Sequence, residues 1–382
     1  MGWTLVRKKL VLLVGLSLLA GAAPPAAAPN NPSVPDPQQA AEDAALRQLV
    51  DELEKVGALL ARAKGPAEIV QHNLRQAELI VQISNRSKPE EREPWLRQLA
   101  DCLSAAAQSS PANDRTAYQR LLGLEEYIAR NMPGSALAAY VAYREIQAAG
   151  ANQATASEKE LHQLQAQWRD RLARFVQTYP QAEEAPGALL ELGMACELMG
   201  QEAEAKRWFR QLAQQYPNSP LAAKADGAVR RLELEGQMLQ LALPKLDDPN
   251  EAFDIDQLRG KVVVVYFWAS WDKRCAEDFA RLKQLVNRFG DDRVGVLGVN
   301  LDARPEEATA FLSGRLAPGV QVFQKGGLEG RTAKRYGLLT LPTLILVDRD
   351  GKVASRKVEV GKLEYRIEQL LKPVRPAAAP AE

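Results

Sequence analysis

The stretch KVVVVYFWASWDKRC, residues Lys261–Cys275, decides how this chain folds. Its first part, Val262–Trp268, consists of β-branched and aromatic residues over the length of one buried strand. A short polar turn, Ala269–Arg274, leads into a helical pattern of apolar residues at Phe279, Leu282, Leu285, Val286 and Phe289. A buried strand that runs through a short loop into a helix places that loop at the carboxyl edge of a sheet, where functional sites usually lie. We therefore expect an α/β domain with its site at this loop.

The same stretch resembles the active-site region of thioredoxins, F-W-A-x-W-C-x-x-C. The residues that match this pattern are Phe267, Trp268, Ala269, Trp271 and Cys275. Asp272 stands where the pattern has its first cysteine. The preceding Leu258-Arg259-Gly260-Lys261, followed by valines, is typical of the TlpA and ResA branch of thioredoxin-like proteins. The resemblance covers Leu241–Leu371 and implies a thioredoxin-like domain over residues 241–372.

Elements of that fold are expected on both sides of the motif. Thr340-Leu341-Pro342-Thr343 matches the family's cis-proline loop, so the resemblance implies a cis Leu341–Pro342 bond. The further expected elements are a hairpin of Leu241–Leu246 and Phe253–Leu258, a strand over Val294–Asp302, a helix over Pro305–Leu316, a hairpin of Thr343–Val347 and Val353–Val358, and a closing helix over Leu363–Leu371.

The motif lacks the thiol that begins dithiol exchange. In the family, the first cysteine acts as a thiolate at a helix N-terminus and the second resolves the mixed disulfide. Asp272 can cap the same helix with its carboxylate, which preserves stability without the chemistry. Lys273 and Arg274 would favour a thiolate at Cys275, whereas Asp272 and burial oppose it. Tyr266 falls where the family has a buried acid, so we expect Cys275 to be a quiet buried thiol.

Three functions fit these residues. In the first, the chain binds peptide or protein partners, some of them thiol proteins, because the backbone at Thr340, Leu341 and Pro342 is the family's strand-addition surface and Trp271 adds an apolar wall. In the second, it is a one-cysteine thiol-disulfide or peroxide oxidoreductase that uses Cys275. Peroxiredoxins share the fold and carry T-x-x-C, although Asp272 replaces that threonine. In the third, a helical scaffold carries an inert thioredoxin-like domain.

The N-terminal residues predict export. Residues 1–28 contain a basic start, an apolar run too short for an ordinary membrane span, and small residues suited to cleavage. The mature chain is therefore expected in the periplasm or cell envelope. The alternative is an uncleaved signal that acts as a membrane anchor. A Pro/Ala-rich linker is predicted over 29–40 and a disordered tail over 373–382.

Helical periodicity dominates the chain between the linker and the α/β domain. An all-α region is predicted over 41–150 and helical repeats over 151–240. Tyr179-Pro180 recurs as Tyr216-Pro217, which indicates a repeat. The second of these copies resembles a tetratricopeptide repeat at Leu192, Gly193, Gly200, Ala205, Phe209 and Pro217. In that reading Gly200 ends the first helix of a pair and Phe209 fills the space between its helices.

Composition narrows the function classes. The 382 residues include 49 basic and 48 acidic side chains, so nothing favours a nucleic-acid partner. The cysteines Cys102, Cys196 and Cys275 are few and odd in number, which excludes a disulfide scaffold. Cys102 and Cys196 lie on apolar helix faces and are expected to be core residues. The two histidines, His72 and His162, are isolated, so we expect no metal site and no cofactor.

Overall fold

A computed structural model describes residues 37–151, 158–315, 317–356 and 358–372. The predicted signal (1–28), residues 29–36 of the predicted linker and the predicted tail (373–382) lie outside these ranges. The chain divides into two compact units, Met1–Ala195 and Cys196–Glu382, which we call the first and second units. Across the described ranges, no helix combines the length and the apolar character that a membrane crossing requires.

The described part of the first unit is helical, as predicted. Its core contains fully buried residues such as Ile80, Leu103 and Leu121, and the predicted core residue Cys102 is buried among them. The first helix begins at Pro37, within the predicted linker. The helices are α1 (Pro37–Leu60), α2 (Pro66–Arg86), α3 (Arg92–Ser109), α4 (Thr116–Asn131), α5 (Ala136–Ala151), α6 (Glu158–Thr178) and α7 (Ala185–Leu198), the last of which reaches the boundary between the units.

Details of the predicted repeat agree with the structure. Gly200 lies two residues after the end of α7 and has a φ of 74°, a backbone conformation that glycine adopts without strain. Ala205 and Phe209 are fully buried on the next helix, α8 (Glu202–Gln215), and Cys196 is buried as expected. The assignment of this region to tetratricopeptide repeats, like the domain boundary at 241, stays a prediction.

The second unit contains the predicted α/β domain. After α8 and α9 (Ala222–Leu232), a two-stranded hairpin precedes a five-stranded mixed sheet with the order β5-β4-β3-β6-β7. The strands are β1 (Ala242–Pro244), β2 (Ala252–Asp254), β3 (Val262–Trp268), β4 (Val294–Asn300), β5 (Val320–Phe323), β6 (Thr343–Val347) and β7 (Val353–Ser355), and the remaining helices are α10 (Arg274–Phe289), α11 (Pro305–Leu312), α12 (Arg331–Arg335) and α13 (Leu363–Leu371).

Strand β3 is the centre of the sheet. All seven of its residues are buried, as expected for an apolar strand that is covered on both faces. It pairs in parallel with β4 and antiparallel with β6. Side chains at alternate positions enter two separate cores, because successive residues of a strand point to opposite faces. Tyr266 and Trp268 pack with α10 and α13 in one core, and Phe267 lies in the other.

Several predicted boundaries are wrong. Helix α11 ends at Leu312 because Ser313 leaves the helical conformation and Gly314 follows with a φ of 74°. Strands β4 and β7 end at Asn300 and Ser355, earlier than predicted. Residues Ile255–Leu258 form a 3-10 helix where the sequence predicted a strand. Strand β5 and helix α12 had no counterpart in the sequence analysis.

Helix α9 is docked against the segment that leads to the cis-proline loop. At Gly227 an added Cβ would lie 1.9 Å from the carbonyl oxygen of Lys334, so only glycine permits this approach. The buried Arg231 donates from Nε to the Gly337 carbonyl at 3.0 Å and forms a two-pronged ion pair with Glu197. The helix therefore supports the backbone a few residues before Pro342.

Candidate functional site

The candidate site lies where two loops of the second unit meet. One loop, Ala269–Lys273, follows the carboxyl end of β3, and the other, Thr340–Pro342, precedes β6. The Leu341–Pro342 peptide bond is cis, as the resemblance implied. Because β3 and β6 are neighbours in the sheet, the two loops lie side by side at one edge. Arg274 connects the loops through hydrogen bonds to Asp272 and Leu341.

Asp272 is buried and accepts a hydrogen bond at the start of α10, from the position one residue before the N-cap Lys273. Its Oδ1 accepts from the backbone N–H of Arg274, the first residue of α10, at 3.0 Å. The same oxygen accepts from Arg274 Nε at 2.9 Å, and Oδ2 accepts from Arg274 Nη2. Two interactions stabilise such a carboxylate: a hydrogen bond from a helix-terminal N–H and an ion pair with a guanidinium. Asp272, which stands at the position of the first motif cysteine, therefore holds the start of α10 and Arg274 in place.

The Arg274 guanidinium interacts mainly with Asp272. Its guanidinium is engaged by Asp272, and Nη2 also donates to the Leu341 carbonyl oxygen at 2.5 Å. The hydrogen bond to Asp272 is the main reason that the pKa of Arg274 is raised. Cys275 also raises the pKa of Arg274, by less than Asp272 does, so the thiol and the guanidinium interact. The contribution of Arg274 to a Cys275 thiolate stays a prediction.

Cys275 is a fully buried thiol in the first turn of α10. Burial raises the pKa of Cys275 to about 11, because desolvation disfavours the thiolate. The Tyr266 hydroxyl and the Ala269 backbone lower this pKa, but by less than burial raises it. At neutral pH the group is therefore a protonated thiol, which is a weak nucleophile. The position of Cys275 agrees with the expectation of a quiet buried cysteine.

The sequence analysis missed Asp278, a carboxylate beside Cys275. The Tyr266 hydroxyl donates to Asp278 Oδ2 at 2.8 Å. Burial raises the pKa of both side chains. The site thus holds an acid near its cysteine, although the β3 position of the family's acid is occupied by Tyr266. The available signal was the spacing of three between Cys275 and Asp278, which places both on one face of a helix.

Asp302 is a second residue that the sequence analysis did not single out. It is fully buried, and Oδ1 and Oδ2 accept from the Ser270 backbone N–H at 2.9 and 3.1 Å. The Ser270 hydroxyl donates to the same carboxylate, and Asn300 Nδ2 donates to Oδ2 at 2.8 Å. A fully hydrogen-bonded buried carboxylate holds its partners in place. Asp302 therefore anchors the loop that presents Trp271.

The surface of the site has an apolar and a basic part. Trp271 is 59% exposed, which is unusual for a tryptophan, and Lys273 beside it is also exposed. Two of the three carbonyl oxygens of the predicted peptide-binding loop, those of Thr340 and Leu341, accept hydrogen bonds from side chains. Thr343 Oγ1 donates to the Thr340 oxygen at 2.6 Å, and Arg274 donates to the Leu341 oxygen.

In the described ranges, no group of three or more His, Cys, Asp or Glu side chains is arranged to hold a metal ion.

Comparisons with known proteins agree with this architecture. Residues 231–371 match the family described as Redoxin. Thiol-disulfide oxidoreductase ResA of Bacillus thuringiensis subsp. konkukian is 25% identical over 130 residues, which are 34% of this chain and 73% of that protein. Thiol:disulfide interchange protein DsbE of Xylella fastidiosa strain 9a5c is 32% identical over 148 residues, which are 37% of this chain and 71% of that protein.

Among solved structures, a thiol-disulfide oxidoreductase from Bacteroides fragilis is 31% identical, with a TM-score of 0.32 and coverage of 35% of this chain and 98% of that one. The matched residues include the whole sheet, both loops of the site and helix α10. Identity of 32% to a protein of which this chain covers 71% identifies the relationship. Through its C-terminal part, the chain belongs to the redoxin family of thioredoxin-fold proteins that includes the thiol-disulfide oxidoreductases ResA and DsbE.

Proposed function

We propose that this chain is an exported redoxin that has lost dithiol exchange and binds peptide or protein partners in the cell envelope. Dithiol exchange needs a nucleophilic thiolate and a resolving thiol. The observation that carries the proposal is the ion pair between Asp272 and Arg274 at the nucleophile's position. This pair is tied into the start of α10 and into the cis-proline loop, so it is a built structural feature of the site.

The exposed side chain of Trp271 supports a binding role. A large aromatic residue that is exposed beside a backbone surface supplies contact area at a low cost in conformational entropy. The loop that carries it is anchored through Ser270 to the buried Asp302, so Trp271 is presented on a fixed base. Such an arrangement suits the capture of an apolar side chain from a partner. Thr340, Leu341 and Pro342 remain the predicted contact residues on the facing loop.

The one-cysteine oxidoreductase is the second candidate, and it rests on Tyr266 and Asp278. This hydrogen-bonded pair lies next to the Cys275 thiol and has a carboxylate that can receive a proton. Against it stand the complete burial of Cys275 and its raised pKa, which together leave little thiolate at neutral pH. We therefore rank it below partner binding. The inert scaffold is the third candidate and predicts no ligand at the site.

Export rests on the sequence pattern of residues 1–28. A basic start, a short apolar run and small residues are the features of a cleaved signal peptide. An exported chain meets extended or unfolded segments of other envelope proteins, which suits a peptide-binding site. Fractionation of cells, followed by N-terminal sequencing of the recovered chain, tests both the location and the cleavage.

Affinity selection tests the binding role directly. The full chain is incubated with a synthetic octapeptide library in solution, and bound peptides are identified by mass spectrometry. The test variant is Trp271→Ala, and the matched control is Tyr365→Ala, which removes another exposed aromatic side chain from the second unit. We expect peptides that the wild type and the control retain and Trp271→Ala loses. Absence of any selected peptide, or selection that is indifferent to Trp271, would contradict the proposal.

A further inference from the structure

The cis-proline loop of this chain differs from a free strand-addition surface. When a peptide adds as a strand, its N–H groups donate to carbonyls and its carbonyls accept from N–H groups of the receiving backbone. Here the Thr340 carbonyl already accepts from Thr343 Oγ1 at 2.6 Å, and that of Leu341 accepts from Arg274 Nη2 at 2.5 Å. The chain's own side chains thus already donate one hydrogen bond to each of these two carbonyls.

Two hydrogen-bond donor groups of the site, by contrast, have no acceptor among the described residues. Among the described residues, no acceptor meets the Leu341 N–H or Nη1 of Arg274. About a third of the Arg274 side chain is exposed, at 32%, so its free N–H groups are within reach of a ligand. Lys273 is exposed beside it and adds three ammonium donors. The site therefore offers hydrogen-bond donors from Arg274 and Lys273, and two of its carbonyls already accept from the chain's own side chains.

We propose that the site selects peptides by a free carboxylate, most simply the carboxyl terminus of an extended peptide, which binds Arg274 while the adjoining apolar side chain packs on Trp271. The inference rests on the proposed peptide-binding function and adds the chemical group that is recognised. A carboxylate presents only acceptors, which matches what the site leaves open. An internal peptide segment also presents N–H groups. Because the Arg274 guanidinium already donates to the Leu341 carbonyl, such an N–H group would meet a cation there instead of an open acceptor.

Charge supports the same assignment. The segment Asp272-Lys273-Arg274 carries two cations and one carboxylate, and Asp272 is buried while Lys273 is exposed. The nearest further carboxylates on α10 are Glu277, which is exposed, and Asp278, which accepts from Tyr266. Asp272 holds the guanidinium in position through Nε and Nη2, so the free N–H groups of Nη1 have a fixed direction. Donors that are held in a fixed direction suit carboxylate recognition better than a mobile ammonium does.

The test divides one octapeptide library into free-acid and C-terminally amidated halves of identical sequences. We expect the full chain to enrich free acids by about tenfold or more over the matching amides. This is the difference in affinity that one hydrogen bond to a charged group provides. The ratio should fall to about one for Arg274→Gln and should stay unchanged for the control Arg281→Gln, an exposed arginine further along α10. A nitrogen-15 NMR spectrum should show the Arg274 Nε–H signal shifting with a selected acid and staying in place with its amide.

The outcomes separate this inference from the function on which it rests. Equal enrichment of acids and amides overturns carboxylate selection and leaves peptide binding in place. A preference for acids that survives in Arg274→Gln overturns the role of Arg274. No enrichment in either half overturns both proposals. If Arg274→Gln has lost the circular dichroism spectrum of the wild type, Arg274→Lys replaces it. This variant should retain the charge but lose most of the preference, because its ammonium lacks the fixed N–H groups of Nη1.

Discussion

Arg274 Nη2 donates to the Leu341 carbonyl oxygen at 2.5 Å, across the two loops that form the site. The same guanidinium pairs with Asp272, so one side chain joins the start of α10 to the residue before the cis-proline. An internal ion pair thus stands at the position of the first motif cysteine and connects it to the cis-proline loop.

The ion pair should contribute measurably to stability. We predict that Asp272→Asn lowers the free energy of unfolding by about 1 to 2 kcal/mol, because a helix-terminal N–H and the guanidinium lose a charged acceptor. The control Glu277→Gln changes an exposed carboxylate in the same helix and should stay within about 0.5 kcal/mol of the wild type. Urea denaturation of the full chain measures both. A variant at 272 as stable as the control would show that the pair has no structural role.

Cys275 should react slowly with thiol reagents. In a Cys102→Ala/Cys196→Ala background, we predict that a disulfide reagent modifies the folded chain far more slowly than a free thiol at pH 7.5. The rate should rise with pH towards about 11, the raised pKa of Cys275, since only the thiolate reacts. The same chain with Cys275→Ala supplies the blank. Rapid modification at neutral pH would instead favour the one-cysteine oxidoreductase.

Ionisation of Glu191 should make the stability of the folded chain depend on pH. Burial raises the pKa of Glu191 from 4.5 to about 7; Tyr143 donates to its Oε1 at 2.8 Å, and Oε2 has no partner among the described residues. The folded chain therefore binds one more proton than the unfolded chain between these two values. The stability from this group is complete below pH 4.5 and is lost as the pH rises through about 7.

We predict that Glu191→Gln, which cannot ionise, loses less stability than the wild type between pH 5 and pH 8. The difference should be on the order of 2 to 3 kcal/mol, from one pKa unit being worth about 1.4 kcal/mol. Glu183→Gln replaces an exposed glutamate shortly before it in the chain and should follow the wild type. Urea unfolding of the full chain at both pH values is the measurement. Parallel pH profiles for wild type and Glu191→Gln would refute the assignment.

Two glycine-to-alanine changes should have opposite effects. Gly227→Ala places a methyl group 1.9 Å from the Lys334 carbonyl oxygen, so α9 must shift, and we expect a loss of about 1 to 3 kcal/mol. Gly123→Ala lies in α4 with no atom within 4 Å of the added methyl and should gain about 0.5 to 1 kcal/mol from helix propensity. Thermal unfolding compares them. A neutral Gly227→Ala would mean that α9 is not fixed against the α/β domain.

The sequence predicted the centre of the α/β domain well because its signals are strong and local. A continuous apolar run gave β3 with its observed bounds, and the motif residues placed α10 and the cis-proline loop. Strand β5 was not predicted because it has four residues, only one of them buried, and a segment this short shows no detectable periodicity. Short edge strands depend on their neighbours for their conformation.

The side-chain partners at the site could not be predicted in the same way. Arg274 was placed next to Cys275 by sequence, but its direction depends on Asp272 and on a carbonyl 67 residues away. Asp278 was overlooked because its importance arises only when β3 brings Tyr266 to α10. The sequence placed the Asp272 carboxylate at the start of α10, where it accepts from the Arg274 N–H, although the N-cap residue is Lys273. Local contacts follow from sequence, whereas contacts between elements need the fold.

Insulin reduction by wild type and Asp272→Cys tests the central claim, which is that the scaffold is intact and that the missing nucleophile prevents dithiol exchange. Tyr266, which replaces the family's acid, should limit any restored activity. The Arg274 guanidinium would stabilise a thiolate at position 272, and Cys275 stands at the resolving position. We predict no reduction above background for the wild type, partial activity for Asp272→Cys, and loss of that activity in Asp272→Cys/Cys275→Ala. Wild-type activity, or an Asp272→Cys variant that folds and remains inactive, would contradict the account.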